Sequence, residues 1–349
     1  MAARLALRML AVFAALAAGG ACAGVQFSHK DWELACDNTR TCRAAGYQPD
    51  EAPPAVSVLL TREAGPARPL SAQVAIGTYD DSKATAMPAQ VEVTIGGRSF
   101  GAIALKADDG TGTLNATQVA ALLQGLLRSD DIAFVAQRER WRLSSDGAAA
   151  VLLRMDDVQG RLGTTGALVR KGGNGEQGVL PPVARPVVRT AAISGAAPRE
   201  ALAIAVLRSL RKAPDDCPDL KEPSEAPRAW RLDAHRVLVS ARCWLAAYNF
   251  GYGFWVANDK PPYRAVAVTY NGTEFEPERS RILSMQKGRG LGDCFAMEHW
   301  VWDGARFVHT EEATTGMCRL VAAGGPWMLP TLVSEVVPPA AKRTIEEKR

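Results

Sequence analysis

Trp32-Glu33-Leu34-Ala35-Cys36-Asp37-Asn38-Thr39-Arg40-Thr41-Cys42 decides how the chain starts to fold. Alternate residues of a strand share a face, so Trp32, Leu34 and Cys36 point together. Asp37-Asn38 are turn formers. Bridged cysteines need Cα atoms about 4.4–6.8 Å apart, so Cys42 meets Cys36 only if the chain reverses between them. The stretch reads as a β-hairpin stapled by its own disulfide, with Trp32 anchoring a sheet.

Six cysteines follow residue 23: Cys36, Cys42, Cys217, Cys243, Cys294 and Cys318. The local pairing predicted is Cys36–Cys42, Cys217–Cys243 and Cys294–Cys318, closing loops of 7, 27 and 25 residues. Chain entropy assigns these loops roughly 2.4, 3.6 and 3.5 kcal/mol, an upper bound that neglects native strain. No Cys-x-x-Cys pair occurs and the four histidines are scattered, so zinc is the weaker reading and no metal is expected. Paired cysteines imply an oxidising compartment. Residues 1–23 agree with that, reading as a secretory signal: Arg4 and Arg8, an apolar run from Met9 to Ala18, then Ala21-Cys22-Ala23. The run is too short for the roughly 20 residues that span a bilayer, and no transmembrane segment is expected. A periplasmic location follows, with lipid anchoring through Cys22 as the alternative.

The length of 349 residues suggests two domains. With 47% hydrophobic and 22% charged residues the chain is globular, and a net charge of +4 without a basic block argues against nucleic acid. A glycine- and proline-rich stretch over 171–197 is read as the linker. Residues 25–170 are then a first, sandwich-like β domain, 198–338 a second disulfide-braced β-rich domain, and 339–349 a tail. The fold class predicted is mainly β with some helix (α+β).

In the first domain Val56–Leu60, Val74–Ile76, Val91–Ile95 and Ala148–Met155 are short β-rich runs. Gly96-Gly97 and Asp146-Gly147 read as hairpin turns. One helix interrupts, capped by Asn115 with Gln118 at capping-box spacing and carrying Val119, Leu122, Leu123 and Leu126 on one face. The second domain, an antiparallel sheet domain, opens with a helix bearing Leu202, Ala205, Val206 and Leu210, with Arg208, Arg211 and Lys212 near its C-terminus. Strands then dominate, with hairpin signals at Asn271-Gly272 and Asp303-Gly304.

Asp293-Cys294-Phe295-Ala296-Met297-Glu298-His299-Trp300-Val301-Trp302 holds the first candidate site. Across a two-residue Asp303-Gly304 turn, Phe307, His309 and Glu311 join the face of Glu298, Trp300 and Trp302. That register sets Glu298 opposite His309 and Trp300 opposite Phe307. A carboxylate beside an imidazole is an acid–base pair, half a metal site, or a cross-strand ion pair, and no third ligand is dictated. Gly288-Arg289-Gly290-Leu291-Gly292-Asp293 lacks the context of a phosphate loop and reads as a tight loop entering a strand. Tyr248, Phe250, Tyr252 and Trp255 stand in the most aromatic stretch and are the candidate binding surface, with core packing as the competing reading. Asp108-Asp109 lacks the ligand pattern of a calcium loop. Asp80-Asp81 and Asp156-Asp157 are read as solvated turns. No Gly-x-Ser-x-Gly nucleophile elbow occurs.

The stretch from His29 to Gln48 resembles the signature of a family of proteobacterial envelope proteins catalogued only as a domain of unknown function. Trp141-Arg142-Leu143-Ser144-Ser145, the block Gly288 to Cys294, and Gly324 to Thr331 support the resemblance. It implies export and transfers no catalytic residues. More weakly, the first domain is similar to the invasion-associated locus B family, which would imply a secreted β-sandwich. The expectation is an exported non-catalytic protein, without cofactor, that binds a protein or a cell-envelope polymer. The alternative is a periplasmic hydrolase using Glu298, His309 and Asp293.

Overall fold

A computed structural model describes residues 24–50, 52–77, 87–193, 196, 198–210 and 215–339. The leader with Cys22, the Asp80-Asp81 pair, Arg211 and Lys212, and the tail beyond 339 lie outside the described residues. The chain is mainly β with three helices among those residues. Its first half runs β1 (Val25–His29), β2 (Trp32–Cys36), β3 (Cys42–Tyr47), β4 (Val56–Arg62), β5 (Leu70–Ile76), β6 (Gln90–Ile95), β7 (Arg98–Ala104), β8 (Thr111–Thr113), α1 (Ala116–Arg128), β9 (Ile132–Ala136), β10 (Glu139–Leu143) and α2 (Ala148–Val158). Two antiparallel sheets result, ordered β1-β2-β3-β4-β5-β8 and β10-β9-β6-β7.

The stapled hairpin forms as its alternation dictates. Cys36 pairs with Cys42 across β2 and β3, and the disulfide joins Cα atoms 4.0 Å apart. Asp37 makes the turn by accepting hydrogen bonds from the Thr39 and Thr41 amides. Trp32 is fully buried and donates its indole N–H to the Ser144 carbonyl at 2.8 Å. Trp32, Leu34 and Cys36 enter one core with Val58, Leu60, Val93 and Phe134 of both sheets and with Leu122 and Leu126 of α1. The opposite face of the first sheet, with Ala35, Ala45, Tyr47 and Leu59, is covered by Val321, Trp327 and Leu329 of the second half. A strand buried on both faces needs no alternation, and the apolar run of β4 has none.

Two readings in this half are corrected. Ala148–Met155 is helix, not strand: Ala148, Val151, Leu152 and Met155 are buried at helical spacing. The half therefore holds two helices rather than one. Asp146-Gly147 does not turn a hairpin; Gly147, at φ +97°, begins α2 and lies so close to the His29 carbonyl that a Cβ would collide with it. The Gly96-Gly97 hairpin and the Asn115/Gln118 capping box form as read. Asp156 is fully buried rather than solvated. It accepts hydrogen bonds from the Leu168 and Val169 amides and lies 3.6 Å from Arg62.

The glycine- and proline-rich segment is fastened along the first half: the Gly65 amide donates to Leu180 and the Val183 amide to Thr39. Its end forms β11 (Val187–Arg189). There follow α3 (Glu200–Arg208), β12 (Arg228–Arg231), β13 (Arg236–Leu245), β14 (Phe250–Asn258), β15 (Val266–Gly272), β16 (Glu274–Glu276), β17 (Arg281–Lys287), β18 (Phe295–Trp302), β19 (Phe307–Thr314), β20 (Leu329–Leu332) and β21 (Glu335–Val337). One sheet is ordered β12-β13-β14-β15, a second β16-β17-β18-β19-β20, and β11 pairs with β21. Asn271-Gly272 makes no hairpin; there the chain passes from the four-stranded sheet to the five-stranded one.

Strand alternation sorts the core of this half. Leu238 and Phe254 meet Ile282, Trp300 and Trp302 between the two sheets. Val237, Val239 and Ala257 face α3 on the other side. Cys217–Cys243 and Cys294–Cys318 are both bonded, with Cα atoms 4.0 and 4.9 Å apart. The halves are joined by polar as well as apolar contacts. Trp327 donates to the Ser57 hydroxyl, Arg319 pairs with Asp31, and the Met317 amide donates to Glu33. No helix among the described residues is long and apolar enough to cross a membrane.

Candidate functional site

The two longest strands of the five-stranded sheet carry the charged side chains that the sequence singles out. The turn between β18 and β19 is four residues long, not two: Asp303 accepts hydrogen bonds from the Ala305 and Arg306 amides, and Trp302 pairs with Phe307. A bulge then shifts the register between His299 and Trp300. Trp300 therefore stands opposite His309, His299 opposite Glu311, and Glu298 opposite Glu312. The expected register, with Trp300 opposite Phe307 and Glu298 opposite His309, is corrected on both counts. Glu311 moves to the face of His299 and Val301, because the bulge inserts one residue and so reverses the alternation beyond it.

One His–Glu pair forms on each face of this ladder. On the outer face His299 Nδ1 is 2.8 Å from Glu311 Oε2. The hydrogen bond from His299 holds the Glu311 carboxyl below the ordinary glutamate value against its partial burial, and the charge of Arg281 adds to this. On the inner face Glu298 Oε2 lies 3.4 Å from His309 Nε2, diagonally across the ladder. Burial pushes the Glu298 carboxyl up; His309 opposes this, and the Glu312 charge adds to it. The His309 ring stacks on Trp300 with centroids 5.0 Å apart and planes 18° from parallel.

The outer pair lies in a cleft of about 540 Å³. Val301 and Thr310 form its floor beside His299, the β11–β21 ribbon forms one wall, and the turn from Pro277 to Arg281 forms the other. Arg281 is committed to Glu276 by Nε and Nη2 contacts of 2.9 and 2.7 Å. Arg279 reaches the same carboxylate only at 3.8 Å and is largely exposed. Arg185 lines the cleft with no ion pair among the described residues. Glu278 is the other acid at the cleft wall. The cleft thus offers two guanidiniums with free donors and one imidazole whose orientation is fixed.

Asp293 joins neither pair. It is fully buried and receives Arg289 at 2.8 and 2.6 Å and the Leu320 amide at 2.8 Å. Burial raises its carboxyl, but these donors outweigh that and leave it below the usual aspartate range. Asp293, Cys294 and Cys318 cluster closely, yet both sulfurs are spent in the disulfide, so no thiolate is there for a metal. The Gly288–Gly292 loop is closed by the Gly288 amide donating to the Cys294 carbonyl.

The aromatic candidates divide. Tyr248 and Phe250 are 47% and 39% exposed. Tyr252 is half-buried, packed edge-on against Phe250 and hydrogen-bonded through its hydroxyl to Glu225. Trp255 leaves the candidate surface: it is 1% exposed and fills the core around Cys217–Cys243. Its odd position on β14 turns it to the α3 side, while Phe254 turns to the other sheet.

His299 and Glu311 are the pair that sequence reasoning missed. Their alternation was readable; the bulge that unites them was not.

A family model described as "Protein of unknown function (DUF1176)" matches residues 26–334. No curated protein and no solved structure matches. The weaker likeness to the invasion-associated locus B family finds no support in these comparisons.

Proposed function

From the premise that the chain belongs to the DUF1176 family, we propose that it is an exported, non-catalytic binding protein of the cell envelope. Its cleft beside His299 takes an acidic segment of an envelope polymer. The observation that carries this reading is the cleft itself, with Arg185 and Arg279 at its walls and His299 pinned by Glu311 at its floor. Guanidinium donors suit carboxylates and phosphates, and an imidazole held in one orientation by Glu311 adds a directed ring nitrogen. Three disulfides fit an oxidising compartment, which supports export to the periplasm.

A hydrolase built on Glu298, His309 and Asp293 is the lesser reading. Glu298 with its raised carboxyl suits a general acid. Asp293, however, is held by Arg289 and Leu320, and the Glu298–His309 pair faces away from the cleft.

The test is co-sedimentation with purified peptidoglycan sacculi, native and with carboxyls methyl-esterified. Wild-type protein should sediment with native sacculi only. The double variant Arg185→Ala/Arg279→Ala should bind about tenfold more weakly, the scale of one or two charge-assisted hydrogen bonds. Equal sedimentation of the double variant, or of wild type with esterified sacculi, overturns the cleft reading. A protein captured in place of the polymer overturns the ligand class.

A further inference from the structure

On the inner face of the same ladder one buried nitrogen stands without explanation. His309 Nε2 is buried and has no hydrogen-bond partner, although the side chain as a whole is 32% exposed. Its nearest acceptor, Glu298 Oε2, is 3.4 Å away. That is too long for a charge-assisted N–H···O bond, which closes to about 2.7–2.9 Å. It suits two ligands of one ion. With Zn–N and Zn–O bonds of about 2.0–2.2 Å at a tetrahedral angle, the two ligand atoms stand about 3.4 Å apart.

We propose that Glu298, His309 and Glu312 form a site for a divalent cation of the zinc class. The corrected register sets a third carboxylate within side-chain reach, although in this structure its oxygens do not yet join the other two ligand atoms. Glu312 lies directly opposite Glu298 on the same face, where opposed Cβ atoms are about 4.5–5.5 Å apart. Like charges directly opposite on a ladder are destabilising, and a shared cation turns the pair from repulsive to attractive. Glu312 is exposed, so its side chain swings to the ion without disturbing the core. Trp300 fixes the plane of the imidazole by stacking, which presets the direction of the Nε2 lone pair. Two carboxylates and one imidazole leave a fourth tetrahedral position for water. This donor set favours zinc over calcium or magnesium, which take oxygen alone. The site is independent of the cleft, since it lies on the other face of the sheet.

The test is calorimetric titration of the chelator-treated, disulfide-intact protein with Zn²⁺, and titration with Co²⁺ followed by visible absorption. One equivalent of Zn²⁺ should bind, and Co²⁺ should give the intense bands of a tetrahedral site. Glu298→Gln, His309→Gln and Glu312→Gln should each weaken binding by about tenfold or more, the scale at which even outer-shell groups of a metal site register. His235→Gln, an exposed histidine elsewhere, should leave it unchanged. Glu312→Gln alters only an exposed side chain, so it remains informative even where His309→Gln loosens Trp300. Thermal melts without metal identify any variant that has lost its fold. Wild-type binding weaker than millimolar, or equal loss in His235→Gln, overturns the proposal. Binding indifferent to Glu312→Gln overturns the three-ligand site.

Discussion

In the first half, 28 buried apolar residues from both sheets and both helices merge into a single core. In the second half the buried apolar residues form separate clusters of 8, 5 and 4, the first lying between the two sheets and the other two on the α3 side of the four-stranded sheet. The disulfides are distributed the other way. The first half has the short Cys36–Cys42 loop, and the second has the two long loops. Covalent closure thus stands in where the core is subdivided. If that complementarity is real, reduction must separate the halves. Loss of Cys217–Cys243 and Cys294–Cys318 should cost the second half up to about 7 kcal/mol, against about 2.4 for Cys36–Cys42. Hydrogen exchange in dithiothreitol, resolved by peptide, should show residues 215–335 opening while 24–170 stay protected. Earlier opening of the first half would break the comparison.

The first half depends instead on buried charge. Arg161 is fully buried and donates to Glu176 at 2.8 Å, to Gln159 at 3.0 Å and to the Gly65 carbonyl at 2.6 Å. Arg62 and Asp156 lie beside it, and Glu176 brings the glycine-rich segment into the network. Arg161→Met leaves Glu176 without its closest cation. Removing one partner of a buried pair costs about 3–5 kcal/mol. Urea denaturation should show that loss in the first half, and a loss below about 1 kcal/mol would show that the network is not what holds the segment down. The contact between the halves is worth less: Trp327→Phe removes the 2.7 Å hydrogen bond to Ser57 and should cost about 1 kcal/mol by the same measurement.

What could be read from the sequence divides along physical lines. The stapled hairpin was legible because the turn residues, the alternation and the cysteine spacing all dictate one geometry. The Asn115/Gln118 box was legible because capping is local. Ala148–Met155 was not, since a short apolar run fits a strand and a buried helix alike, and only the neighbours of Val151 and Met155 decide between them. Asp156 reads as solvated until Leu168 and Val169 are folded onto it from 12 and 13 residues away. At the candidate sites, alternation was enough to place Glu298 and His309 on one face. The partner of His299 depended on a four-residue turn and a bulge, and both are set by tertiary packing rather than by the dipeptide Asp303-Gly304.

The smallest effect is the subtlest test of the comparison, because it predicts opposite signs. In the first half burial raises the carboxyls of Glu33 and Asp156 above their ordinary values, more than their hydrogen-bond donors lower them. A raised carboxyl stabilises the fold fully below its unfolded pKa, and that contribution is lost as pH rises through the folded value. In the second half Asp293 and Glu311 are lowered, outnumbering Glu298 on the same sheet, the single raised carboxyl of this half among the described residues. Their contribution is present above the unfolded pKa and disappears as pH falls through the folded one. Between neutral pH and about pH 3, spanning the ordinary carboxylate range, acid should therefore weaken the second half while relieving the charge buried in the first. Hydrogen exchange corrected for the intrinsic pH dependence should show protection at 281–320 falling with acid, and protection around Glu33 and Asp156 holding or rising. Asp156→Asn removes the titrating group from the first half and should flatten its slope. Parallel slopes in the two halves would mean that the buried carboxyls of the first half are screened as well as those of the second, and the contrast between a core-held and a crosslinked half would then rest on the disulfides alone.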